Sequence, residues 1–85
     1  MTGRRLILND KTVIENGEAG YDAGFLWLRF NGYTIADAAV MFSDPGKTGK
    51  IIFQYGNMED TYEGFTDCRT VQIDVDGKIS VCMTK

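Results

Sequence analysis

The sequence predicts a single α+β domain over residues 1–85: a five- or six-stranded, mostly antiparallel bent sheet with one short helix packed on a face. Three observations predict it. Short segments of period-two alternation recur along the chain, RRLIL (4–8) and KIIFQY (50–55) among them. One segment alone, TIADAAVMF (34–42), switches to a period of about 3.6. Finally, DVDGK (74–78) joins two alternating runs as a hairpin whose register can be solved.

Taken in order, RRLIL points Leu6 and Leu8 to one face and reads as a strand, NDK turns the chain, and TVIE (12–15) returns. NGEAGYDAG (16–24), with Gly17, Gly20 and Gly24, reads as a loop, the longest and most mobile in the chain. FLWLRF (25–30) is apolar on both alternating faces, with Phe25 and Trp27 on one and Leu26, Leu28 and Phe30 on the other. That pattern suits a strand covered on both sides, by the helix and by the long loop. NG (31–32) ends it.

The helix has a start signal in Thr34 with Asp37 three residues on, a short version of the capping box. Ile35, Ala38, Ala39 and Phe42 form its docking stripe, and the residue before Pro45 avoids helical angles, so the helix stops by Asp44. After SDPGKTGK, read as a helix stop and a loop, come three strands. KIIFQY carries Ile51, Phe53 and Tyr55 on one face; DTYEGFT (60–66) follows a turn at GNME, with Gly64 as a bulge; CRTVQIDV and KISVCM form the last hairpin.

A two-residue Asp76-Gly77 turn would split the apolar residues of that hairpin between its faces. A type I turn over 74–77, with Gly77 left-handed, shifts the pairing by one, so that Ile73 faces Ile79 and Val71 faces Val81. A one-residue slip buries the wrong set, which selects the bulged turn. Cys82 then lies opposite Thr70, with Cys68 one diagonal step away at ~7–8 Å, beyond disulfide reach. Both thiols are expected to stay reduced, as in a cytoplasmic protein. The chain shows no internal repeat, linker, signal-peptide pattern or apolar run of membrane-spanning length.

Charge and motif exclude several function classes. The net charge is −3 and the nine basic residues are scattered, so the footprint of a nucleic-acid binder is missing. FSDPGKTGK (42–50) contains Gly46-Lys47-Thr48, but a P-loop needs glycine where Met41 stands, and it enters a helix where this segment leaves one. DVDGK is not a calcium loop, because the twelfth position from Asp74 is Lys85, not Glu. The chain has no histidine and two cysteines, which removes both a closed zinc site and the commonest general base. No catalytic constellation is present, so neither an enzyme nor a cofactor or metal site is expected.

The candidate contact surface is YGNMEDTYEGF (55–65). It gathers Tyr55, Met58, Glu59, Asp60, Tyr62 and Glu63 around one turn, where aromatics can anchor and acids steer a basic, partly apolar partner. Tyr21 and Asp22 in the long loop are a second candidate. The same residues also suit a hairpin with a solvated acidic tip and Tyr62 and Phe65 in the core.

One resemblance covers about half of the chain. Phe42-Ser43-Asp44-Pro45, Lys47-Thr48, the apolar strand Ile51 to Phe53, Tyr55-Gly56, Met58-Glu59-Asp60, Tyr62 to Thr66 and the final hairpin resemble small proteins encoded by phages and prophages of Gram-positive gut bacteria. The resemblance implies a phage setting in the host cytoplasm, and no functional residue is carried over from it. Within that setting the expected function is non-catalytic protein binding, with no direct nucleic-acid or membrane contact. The first expectation is an inhibitor of a host defence complex, of the anti-CRISPR kind, whose acidic turn at 59–63 enters a positively charged cleft. The alternative is a head or tail accessory protein that binds a virion component or self-associates as a homodimer through a free strand edge.

Overall fold

Four hairpins account for the eight strands in the computed structural model, which describes residues 3–85. β1 (Arg4–Leu8) and β2 (Thr12–Glu15) turn through Asn9 and Asp10, both with positive φ, which short polar side chains tolerate. β3 (Glu18–Asp22) and β4 (Phe25–Phe30) pair through Ala23 and Gly24, with Asp22 opposite Phe25. β5 (Lys50–Tyr55) and β6 (Met58–Glu63) turn at Gly56-Asn57, with Tyr55 opposite Met58. β7 (Asp67–Ile73) and β8 (Ile79–Thr84) close the chain.

These hairpins build two four-stranded antiparallel sheets, β2-β1-β5-β6 and β3-β4-β8-β7. This corrects the expected single bent sheet of five or six strands. The physical reason lies in how much apolar surface there is to cover. An eight-residue helix covers one patch, whereas two facing sheets bury Leu6, Leu8, Ile14, Ile51 and Phe53 of one against Leu26, Leu28, Ile79, Val81 and Met83 of the other.

The segment read as a mobile loop is therefore partly wrong. Its residues 18–22 are β3, paired along their whole length with β4. What precedes it is a corner between the sheets: Asn16 has φ 60°, and Gly17 lies so close to Leu6 that a side chain does not fit. Nor is β4 covered on both faces. Leu26, Leu28 and Phe30 are buried, while Phe25 and Trp27 stay partly exposed on the far side.

α1 (Ile35–Phe42) begins where the cap signal placed it, the Thr34 side chain accepting from the Asp37 N–H at 3.0 Å. Its buried side is Ala38, Met41 and Phe42, with Phe42 stacked on Phe30 at 5.7 Å; Ile35, expected in the stripe, is exposed. The following loop is not plain loop either. Asp44 accepts from the Gly46 N–H and caps a one-turn helix, α2 (Pro45–Thr48).

The last hairpin takes the bulged register. Ile73 faces Ile79, Val71 faces Val81 and Thr70 faces Cys82. Gly77, at φ 81°, donates to the Asp74 carbonyl, and the Asp74 N–H bonds the Lys78 carbonyl. Cys68 and Cys82 are free thiols, both pushed above their ordinary pKa by burial.

One regularity is topological. Exchanging β1–β4 for β5–β8 maps each sheet order onto itself, so the fold has an approximate twofold arrangement that the residues do not repeat. Under that exchange the hairpin-closing pair Leu8–Thr12 corresponds to Tyr55–Met58, and edge strand β7 corresponds to β3.

Candidate functional site

β3 crosses the first sheet instead of running along it. Glu18 pairs with Arg4 of β1 at 2.7 Å, Ala19 and Gly20 share a groove with Phe53 and Tyr55 of β5, and Tyr21 meets Tyr62 of β6 with ring centroids 6.5 Å apart. Within four residues the strand has passed over three. The inner face of the first sheet continues beyond it. By register, Tyr55 and Met58 share that face, as do Phe53 and Asp60. The Tyr55 hydroxyl donates to Asp60 Oδ2 at 3.1 Å, and Tyr55 stacks on Phe53 at 4.6 Å.

The result is a groove of about 410 Å³ beside β3, lined by Arg4, Glu18, Gly20, Trp27, Phe53 and Tyr55 together with Ala19 and Arg29. Its shape depends on Gly20. That residue lies opposite Trp27, and a side chain there would project into open space. The Trp27 side chain lines the groove and keeps 41% of its surface exposed.

Polar groups at the groove are mostly committed. Glu18 bridges Arg4 and Arg29, the latter at 3.6 Å. Arg29 reaches on to Asp74 and to Asp76, Nη2 lying 2.6 Å and 3.1 Å from their Oδ2 atoms. The hydrogen bond to Asp74 raises the pKa of Arg29. Burial pulls Asp74 upward, but its bonds from Arg29 and from the Asp76 and Lys78 N–H groups outweigh that and leave it lowered. The calcium-like DVDGK oxygens thus serve Arg29 and the turn, and no group of three or more metal-binding side chains occurs among the described residues. Lys47 lies on α2, whose N-terminus already holds the Asp44 carboxylate.

The residues expected to form the contact surface are divided by the strand. Met58 and Glu59 belong to β6, not to the turn, and alternation sends Tyr55, Met58, Asp60 and Tyr62 to the inner face, Glu59 and Glu63 to the outer. Glu59 accepts from Gln54 at 2.9 Å. Tyr21, 54% exposed, joins the first group, since its ring also packs edge-on against Phe65 at 5.6 Å. Tyr62 completes this trio and Lys85 lies over the Phe65 ring at 5.1 Å. Asp22 is exposed at the β3–β4 turn. The hydrogen bond to Asp60 raises the phenol pKa of Tyr55, and burial together with the Asp60 charge raises that of Tyr62.

Trp27, Gly20, Glu18, Arg4 and Phe53 were missed as site residues because β3 was read as loop. A signal existed: Ala19 and Tyr21 alternate between the Asn16-Gly17 and Ala23-Gly24 dipeptides, both turn pairs. No helix among the described residues is long and apolar enough to cross a membrane. In comparisons with protein-family models, curated proteins and solved structures, nothing matches this chain.

Proposed function

We propose that this chain is a non-catalytic protein-binding module whose contact surface is the groove beside β3 and the neighbouring Tyr21–Tyr62–Phe65 cluster. One observation carries the reading. The inner face of the first sheet, a core surface elsewhere, runs past β3 and leaves Met58, paired with groove residue Tyr55, 59% exposed. Core-type residues left half-open beside aromatics are what interface anchors look like. Catalysis draws no support from the titrating groups, since Tyr55, Tyr62, Cys68 and Cys82 all shift upward, away from neutral pH.

Within the phage setting that the sequence resemblance implies, the alternation of β6 favours the assembly-accessory role over the inhibitor. Glu59 and Glu63 turn away from the groove, so an apolar contact dominates there. The test is a pull-down from bacterial lysate with wild type, with Tyr21→Ser/Met58→Lys, and with Glu59, Asp60 and Glu63 replaced by Lys. Retention that survives ~1 M salt and is lost with Tyr21→Ser/Met58→Lys supports the reading. The same proteins held equally by all three baits would refute it. Steep loss with salt would return the inhibitor role to first place.

A further inference from the structure

The edges of the two sheets are not equally protected. α1 lies against β7, β3 lies across the first sheet, and β2 has only four residues. β6, with six, pairs with β5 on one side only. Its two-residue turn closes on the hydrogen-bonded pair Tyr55–Met58, and past its end the Gly64 N–H bonds the Gly49 carbonyl at 3.0 Å. By alternation Glu59, Thr61 and Glu63 turn their N–H and C=O groups away from β5, and all three residues are exposed. A groove of about 380 Å³ is lined here by Thr61 and Glu63 of the outer face, Tyr62 of the inner face, and Tyr21, Phe65 and Lys85. A space that touches both faces of a sheet lies at its open edge.

The charges of β6 decide what can pair there. In an antiparallel pairing about Thr61, Glu59 would face Glu63 of a second copy. One step along, Asp60 would face its own counterpart, and the step the other way overlaps only residues 61–63. Like charges directly opposite are destabilising. Glu59 and Asp60 accept only from the neutral Gln54 and Tyr55 side chains, and among the described residues none of the three carboxylates joins an ion pair. Lys50, opposite Glu63, pairs with Asp10 at 3.5 Å, and Lys85 lies over the Phe65 ring.

We infer that β6 receives an extended segment of a partner protein as a fifth strand of the first sheet. Basic residues four positions apart on that segment face Glu59 and Glu63, and apolar residues on its alternate face lie beside Met58 and Tyr62. The inference rests on the protein-binding reading above and specifies its partner. Main-chain bonds at Glu59, Thr61 and Glu63 and the apolar contact supply affinity, the groove takes one side chain, and the exposed charges fix the register.

The probes are three capped synthetic peptides added to the full chain and followed by amide NMR. One has lysines four apart with valines at alternate positions, one is its scrambled isomer, and one keeps the pattern with glutamate for lysine. The first is expected to slow hydrogen exchange at Glu59, Thr61 and Glu63, while Asp60 and Tyr62, already bonded to β5, change little. Its affinity should exceed that of the other two at least about tenfold, and Glu59→Lys/Glu63→Lys should reverse the preference towards the glutamate peptide. Equal binding of the scrambled isomer, no binding of any peptide, or an unreversed preference overturns the inference. Protection at Ala19 and Tyr21 instead overturns it in favour of the β3 edge. Protection at Glu59, Thr61 and Glu63 that grows with protein concentration and needs no peptide assigns the edge to a second copy and overturns it too. All of these outcomes leave the protein-binding reading to its own test, because the pull-down does not depend on the shape of the partner.

Discussion

Gly17→Ala adds one methyl group at the corner where the chain leaves the first sheet for the second. Its Cβ would stand 2.8 Å from Leu6 Cδ1 and 2.9 Å from Leu6 Cγ, with Ile14 Cγ2 at 3.5 Å. Carbon atoms prefer ~3.5–4.0 Å, so the clash is well inside contact. Leu6 is fully buried and has nowhere to move. Overpacking of this kind costs ~1–3 kcal/mol, against ~0.4–1 kcal/mol gained by stiffening the unfolded chain. A net loss of about 1–2 kcal/mol remains, or roughly 4–15 °C in Tm for a domain of this size. Thermal and urea unfolding followed by Trp27 fluorescence measure it. Gly20→Ala, whose Cβ meets nothing within 4 Å, is the comparator and should lose no stability. In a Leu6→Ala background the sign should reverse, because the new methyl enters vacated space. An equal penalty in both backgrounds, or equal effects at Gly17 and Gly20, refutes the close-packed corner.

Four other perturbations follow from the same structure. Phe42→Ala removes the ring stacked on Phe30 and should cost ~3–5 kcal/mol, enough to leave a domain of marginal stability largely unfolded at 37 °C by circular dichroism. Ala23 sits at φ 51° in the β3–β4 turn, so Ala23→Asn, which creates an Asn-Gly pair, should raise stability by about 1 kcal/mol in urea titration. Asp60→Asn removes a shared cause of the raised Tyr55 and Tyr62 values, so both phenols should titrate closer to ~10 in ultraviolet spectra at alkaline pH. Asp74 is lowered in the folded state. Its stabilising contribution is therefore present above the unfolded value of ~3.9 and lost as pH falls through the folded one. Asp74→Asn should accordingly lower Tm at pH 7 and shrink the difference between pH 7 and pH 3.

Local patterns were readable wherever a residue's neighbours in sequence are also its neighbours in space. The Thr34 cap on Asp37 spans three residues, and the alternation of Leu6 and Leu8 is intrinsic to any strand. The bulged register of the last hairpin was readable because it alone gathers Ile73, Val71, Ile79 and Val81 on one face, of which Ile79 and Val81 are buried while Ile73 stays 56% exposed. β3 was lost because Glu-Ala-Gly-Tyr-Asp has weak strand preference and its pairing is supplied by β4 and by the sheet beneath. The aromatic members of the candidate surface were visible as types. The split of Glu59 and Glu63 from Asp60 was not, because it turns on whether β6 begins at Met58 or two residues later.

What the 85 residues determined alone was three of the four hairpins, β1–β2, β5–β6 and β7–β8, the start of the helix and the absence of the usual catalytic and metal-binding patterns, all of them consequences of short-range spacing. Tertiary structure decided which hairpins share a sheet, that β3 crosses β1, β5 and β6, and that Arg29 meets Asp74 from 45 positions away. The groove belongs to this second group. It is the space left where one sheet outruns the strand above it, and long-range pairing leaves no mark in the periodicity of either partner.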